Sequence, residues 1–279
     1  MLPRFFGACV AGGVFLVLTL SELRRPLRRR VESKLIRESR NFAIAGLGAV
    51  VVTLAETPVA LRLGQVVDAQ EWGLLHALKL PTWLRILLSV LLLDYTLYIW
   101  HVLTHKVPFL WRFHLVHHVD LDLDASTALR FHFGELALSV PWRAAQIVAI
   151  GVSPAAFTVW QTALVSSILF HHSNVELPLR LERLLNRFLV TPRMHGIHHS
   201  MKEEETNSNW SSGLSFWDRL HGTLRLNVPQ QAITIGVPAY GDPADVTLPN
   251  LLAMPFRRQR ADWELQTGGG EGNKAISEQ

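Results

Sequence analysis

Apolar positions gather into three long runs, 5–20, 42–61 and 83–100, and into a fourth region, 135–170, interrupted by "GVSP" at 151–154. Each run approaches the roughly 20 helical residues, at about 1.5 Å apiece, that cross the core of a bilayer. The break in the fourth region predicts two helices joined by a tight turn. The pattern therefore predicts an all-α fold, a polytopic membrane helical bundle. Only Arg4 precedes the first run, no small-residue cleavage site ends it, and "LRRPLRRR" follows at once. It reads as a retained anchor rather than a cleaved signal.

Past residue 173 the chain turns more polar. "LPLRLERLLNRFLV" has helical periodicity, and "NSNWSSG" and "AYGDPAD" carry turn signals. This part is expected to form a cytoplasmic cap, rich in histidine where it meets the spans. The boundaries read as an N-terminal transmembrane region at 1–93, a central domain at 94–226 and a C-terminal cytoplasmic extension at 227–264. The glycine-rich polar tail, 265–279, is expected to be disordered.

Charge sets an orientation. The dense arginines of 24–40 belong on the cytoplasmic side by the positive-inside rule, which puts the amino terminus outside and the 62–82 connection outside as well. The third span then returns to the cytoplasm with His101 and His105 at its end, and the 135–170 hairpin goes in and comes back to deliver His171 and His172 to the same face. No histidine was used to draw this topology, yet it gathers every histidine cluster on one side. The net charge of +4 and the pI near 9.6 are explained by the same arginines, so no nucleic-acid partner is expected. Cys9 is the only cysteine, which excludes an intrachain disulfide and any cysteine-ligated zinc or iron–sulfur site.

Eleven of the thirteen histidines lie between 101 and 199. "HVLTH" places His101 and His105 on one helix face. "HLVHH" supplies His114, His117 and His118, "FHHSN" supplies His171 and His172, and "HGIHHS" supplies His195, His198 and His199. Burying so many imidazoles without partners costs roughly 1–3 kcal/mol each, and charging them side by side adds repulsion. A metal removes both penalties. Since one ion takes about three or four protein ligands, the inventory suits a pair of ions.

At this point the chain resembles a family. "DYTLYIWHVLTH", "LWRFHLVHH", "STALRFHFGE", "FHHSN", "MHGIHHS" and "NSNWSSGLSFWDRLHGT" are similar, in order and with compatible gaps, to successive blocks of the fatty acid hydroxylase and sterol desaturase superfamily. The likeness runs from about Asp94 to Thr223. It implies that 94–226 is a di-iron catalytic domain on the cytoplasmic side, which uses dioxygen and external electrons to hydroxylate or desaturate an unactivated C–H position of a lipid. The substrate class stays open among sterols or hopanoids, fatty acyl or sphingoid chains, and carotenoids. The resemblance implies ligand and catalytic roles for His101, His105, His114, His117, His118, His172, His195, His198 and His199, with His171 as an additional metal candidate. It places His132 behind the ligands or near the substrate. Val119 departs from the pattern, since many members carry Ser there. The implied cofactors are two iron ions and dioxygen as co-substrate, with zinc as an alternative occupant on purification.

Companion roles follow from spacing. Asp94 stands seven residues before His101, nearly two helical turns, and is expected to accept a hydrogen bond from a ligand imidazole. Asp122 and Asp124 are expected to do likewise, and Asn174 to orient His172. Arg130 and Glu135 are expected to pair with each other, and His76 and His221 to be structural. No flavin, haem or nicotinamide motif is present, so separate electron-donor proteins are expected as partners besides the lipid.

Three rivals explain less. His117 and Asp122 form the H-x4-D spacing of membrane acyltransferases, but that reading leaves the other boxes idle. A haem carrier needs opposed single histidines rather than clusters at one end. A non-catalytic metal-binding or transport protein uses the cluster but not its resemblance. No H-E-x-x-H occurs, so zinc proteolysis is unsupported.

Overall fold

The computed structural model describes residues 6–264. The expected disorder of 265–279 concerns residues outside that range. The described chain is helical: α1 (Phe6–Arg24), α2 (Lys34–Val51), α3 (Thr57–Ala69), α4 (Leu74–Ala77), α5 (Thr82–Lys106), α6 (Pro108–His118), α7 (Phe133–Ile150) and α8 (Pro154–His172). The remainder carries only short helices, α9 (Leu179–Leu185), α10 (Pro192–His198), α11 (Glu203–Thr206), α12 (Phe216–His221) and α13 (Leu248–Ala253).

Three helical stretches are long and apolar enough to cross a membrane: Phe6–Arg24, Lys34–Ala77 and Thr82–Lys106. They contain the three predicted runs, the first from residue 6 onward. In the second, α2 passes into α3 through one wide π turn, Val52–Glu56. The hairpin expected over 135–170 forms as α7 and α8, although Glu135, Arg143 and the polar residues of α8 leave these two helices outside the apolar set. Its turn is set by local chemistry. Gly151 ends α7 in the left-handed region at φ +89°, the Ser153 hydroxyl accepts the Ala156 N–H, and Pro154 opens α8.

α8 lies between α1 and α5, and α7 packs on α3 and α2. Ala60, Val67, Leu93, Ile147, Phe157 and Trp160 form the shared core. The 70–81 connection packs on the α7–α8 turn, where Gly73 meets Gly151, at the opposite end of the bundle from the histidines. A second core joins α6 to the C-terminal extension, with Leu115, Val116 and Val119 packed among Val237, Tyr240 and Leu251. The second half of α6, Phe113 to His118, is buried throughout.

Candidate metal centre

Four helices end at one place. His101 and His105 occupy the last turns of α5, His117 and His118 close α6, His171 and His172 close α8, and His195 and His198 lie in α10. Each end is fixed by its sequence. Val107, held extended before Pro108, stops α5, and Pro108 starts α6. Thr191 caps α10 by accepting the Met194 N–H, with Pro192 in its first turn. The carbonyl ends of helices carry partial negative charge, so this convergence favours a cation before any side chain is counted.

The imidazoles form two adjoining groups. In the first, His101, His105, His114, His118 and His198 bring ligand nitrogens within 4.8 Å of one another; in the second, His117, His172, His195 and His199 do so. The groups touch where His118 stacks on His199, ring centres 4.4 Å apart. Nine of the ten sequence candidates are thus brought together. His171 is in neither group, although its ring lies 4.0 Å from that of His195.

Both groups present nitrogen lone pairs that nothing in the protein satisfies. His101 Nδ1 donates to the Trp210 carbonyl (2.7 Å), His198 Nδ1 to the Ser208 carbonyl (2.8 Å) and His172 Nδ1 to the Ile168 carbonyl (2.8 Å), while His114 Nδ1 faces Glu135 Oε1 at 2.8 Å. A neutral imidazole has one proton, so each of these rings turns a bare Nε2 inward. Nε2 of His105, His114, His118 and His198 is buried with no hydrogen-bond partner. In the second group His172 Nε2 stands 3.0 Å from both His117 Nε2 and His195 Nε2, and His199 Nε2 stands 3.1 Å from His195 Nε2. The single proton of His195 cannot serve both neighbours, so at least one of these contacts is repulsive without a cation. Two nitrogens bound at about 2.0–2.1 Å to one ion, roughly at right angles, stand about 3 Å apart. The donor set fits a metal.

Burial first, then the neighbouring imidazoles, pushes His117, His118, His195 and His199 well below the usual histidine range, and burial lowers His198 to about 3. They stay neutral at physiological pH, the form that binds metal.

The backbone carbonyls behind the rings come from the "NSNWSSG" loop. Asn209 sits at φ +53°, a conformation Asn tolerates, and its side-chain amide donates to the Met194 and Arg225 carbonyls. Asp218 accepts from the Trp210 and Ser211 N–H groups (2.9 and 3.1 Å). Together they aim the carbonyls of Ser208 and Trp210 at His198 and His101. Arg28 braces the other side by donating to the Pro192 carbonyl (2.7 Å) and crossing Gly196, where a Cβ would collide with the guanidinium.

Several expected companions act elsewhere. Asp94 does not reach an imidazole. Its Oδ2 accepts from Trp217 Nε1 (2.7 Å) and Leu214 N (3.0 Å), so it staples the loop to α5; seven-residue spacing fixed its face but not what lay across from it. Asp122 accepts from the backbone of Val31 and Glu32 instead, which also separates it from the H-x4-D role with His117. Asp124 meets Arg37 and Lys34. Asn174 pairs both ways with the Arg28 backbone and holds the α1–α2 connection rather than His172. His132 caps α7 by accepting the Gly134 N–H at 3.0 Å and packs on Phe113 and Phe133. Arg130 does not pair with Glu135. It lies 3.4 Å from Asp120 and donates to the Val116 carbonyl and Asn41, which frees Glu135 for His114. His76 is held between Arg85 and Asp68, and His221 stacks on Tyr95 and Tyr98, both away from the centre.

Glu135 and Asp120 are the residues that sequence reasoning missed. Glu135 supports His114 from 21 positions away. Asp120 is fully buried and bonded to Arg37 (2.9 Å) and Thr127 (2.9 Å); burial pushes its carboxyl up, but the Arg37 and Arg130 guanidiniums hold it below the usual range. A carboxylate two residues past an H-x-x-H-H box was the available signal.

A cavity of about 350 Å³ opens onto His101, His114, His117, His172 and His195. Its walls are chiefly apolar, among them Val52, Leu97, Trp100, Leu136, Leu164 and Val165. Orphaned imidazoles thus stand at the end of an apolar slot inside a bundle with helices of spanning length.

Comparison with known proteins agrees. Residues 86–223 match the family model described as fatty acid hydroxylase. This segment, just under half of the chain, is similar to the fatty acid hydroxylase family from end to end. It is similar to an ornithine lipid hydroxylase of Rhizobium tropici, 33% identical over 184 residues, covering 64% of this chain and 52% of that one. It is also similar to an alkylglycerol monooxygenase of Xenopus tropicalis, 30% identical over 55% of this chain and 34% of the relative. A cholesterol 25-hydroxylase of Mus musculus is 29% identical over 50% of this chain and 47% of the relative. The chain thus spans from about a third to about half the length of these relatives. No solved structure matches it. The fatty acid hydroxylase segment contains every histidine of both groups.

Proposed function

We propose that the protein is a membrane-embedded non-haem oxygenase that inserts a hydroxyl group at an unactivated C–H position of a lipid. The observation that carries this reading is the pair of imidazole groups whose buried nitrogens lack partners, at the end of an apolar cavity. The three relatives are all hydroxylases or monooxygenases, which favours hydroxylation over desaturation.

His101, His105, His114, His118 and His198 would hold one iron ion, and His117, His172, His195 and His199 the other. Iron bound there supplies the electrons and Lewis acidity that dioxygen activation requires and that side chains lack. Overall, C–H becomes C–OH with one oxygen atom of dioxygen. The other leaves as water with two protons and two electrons from a separate donor. The protein's share is positional. Glu135 and the carbonyls of Ser208, Trp210 and Ile168 fix the tautomer and aim of four rings. The apolar walls admit the lipid and exclude water.

The active face is assigned to the cytoplasm. The arginine-rich α1–α2 connection packs at the histidine end of the bundle, where Leu27 donates to the Asn174 carbonyl and Arg28 to that of Pro192.

The test is lipid mass spectrometry of a host expressing the chain or its His198→Ala form. A lipid that gains one oxygen mass only with the intact chain is the expected result. Identical lipid profiles from iron-replete, aerated cells containing folded protein would overturn the reading.

A further inference from the structure

The cavity has a second, polar end that the histidines do not explain. Glu56, the last residue of the π turn, and Arg143 of α7 both line it and are 6% and 5% exposed. Arg143 Nε lies 3.6 Å from Glu56 Oε1, and its guanidinium stacks over Trp160 at 4.1 Å. Another of its nitrogens donates to Gln146. Charges inside a spanning bundle are costly and mark function more often than support, and π turns concentrate at such places. Here the opposite charges cancel, yet Arg143 Nε, Gln161 Oε1 and Trp142 Nε1 are buried without a hydrogen-bond partner. Gln161 and Trp142 also line the cavity. Left unpaired, each costs roughly 1–3 kcal/mol.

We infer that this end binds the hydroxyl group of a neutral lipid alcohol and thereby sets which carbon reaches the histidines. The inference rests on the reading of the histidine end as a lipid oxygenase and names its substrate class. A hydroxyl is both donor and acceptor. Its oxygen can accept from a lining donor, Arg143 Nε or Trp142 Nε1, and its proton can go to Gln161 Oε1. A phosphate is disfavoured by Glu56 and an ammonium by Arg143, because either would break the neutrality of the pair. The two ends are eight residues apart along α7, Glu135 to Arg143, and eleven along α8, Gln161 to His172. At about 1.5 Å per residue the oxidised carbon stands roughly 12–17 Å from the hydroxyl.

Binding is measured on the full chain in lipid nanodiscs with tritiated cholesterol and with tritiated 1-hexadecanol, each against its methyl ether. The ether keeps the apolar body and loses the donor. At least one alcohol is expected to bind about tenfold more tightly than its ether, a difference of about 1.4 kcal/mol. Which one does so separates a ring substrate from a chain. The double variant Trp142→Phe, Gln161→Leu keeps the Glu56–Arg143 pair, so it tests recognition without unpairing a buried charge. It is expected to reduce the alcohol's advantage to less than about threefold while the ether binds as before. Equal binding of alcohol and ether, binding of neither, or an advantage that survives the double variant would overturn the inference and leave the polar end as structural. The assay needs neither turnover nor dioxygen. A hydroxyl preference without any lipid oxygenation would sink the proposed function instead, and oxygenation without the preference would sink only this inference.

Discussion

The histidine groups and the aspartate layer beside them are two residues apart in sequence and equally buried, yet they treat their polar atoms in opposite ways. Asp120 faces Arg37, Thr127, Asn41 and Arg130, and Asp124 meets Arg37 and Ser126. Opposite charges there answer each other, with Asp120 Oδ1 facing Arg130 at 3.4 Å, although Arg130 keeps one nitrogen, Nη2, without a hydrogen-bond partner. Four Nε2 atoms of the first histidine group answer nothing, and the second group crowds like against like. A layer whose opposite charges pair holds the fold, whereas one that leaves lone pairs pointing at a common centre requires a further component. Substitutions in the two layers should therefore fail in different ways.

The largest effect is expected from His198→Ala, which removes a ring from the first group. Lipid oxygenation should be lost, while thermal unfolding of the metal-free protein stays close to that of the intact chain. Unfolding on purification would place His198 among the supporting residues instead. Asp120→Ala should do the reverse. It leaves Arg130 buried without its anion, strips Arg37 of one of its two carboxylates, and should destabilise the fold by about 3–5 kcal/mol, read as a fall in melting temperature with or without metal.

Glu135→Gln separates support from ligation. It keeps the shape behind His114 but removes the negative charge, and metal affinity should fall roughly 10–100-fold by titration, with the helical content unchanged. The smallest effect belongs to His76→Ala, at the far end of the bundle. Turnover per folded molecule should match that of the intact chain, and a large loss would show that the chemistry reaches beyond the two groups.

The spans and the gathering of histidines were legible because both are written locally, in apolar run length and in i, i+4 spacing. The arginines of 24–40 then placed the groups at one end of the bundle. What stayed hidden is the set of partners across the fold. His101 and His198 lean on backbone carbonyls of Trp210 and Ser208, which any residue supplies, so no side chain announces them. Glu135 was assigned to its near neighbour Arg130, and Asp94 to its own helix face, because sequence proximity is a poor guide to contacts made between helices. The polar end of the cavity is illegible in the sequence for the same reason. Glu56 and Arg143 are 87 positions apart and look alone in two apolar segments.

Metal counting tests the central claim most directly. The intact chain, purified without oxygen and supplied with ferrous iron, should hold two ions, one for each histidine group. His118→Ala and His195→Ala, which strike different groups, should each lose one. A chain that folds and binds no metal, or variants of both groups that keep the full complement, would contradict the account.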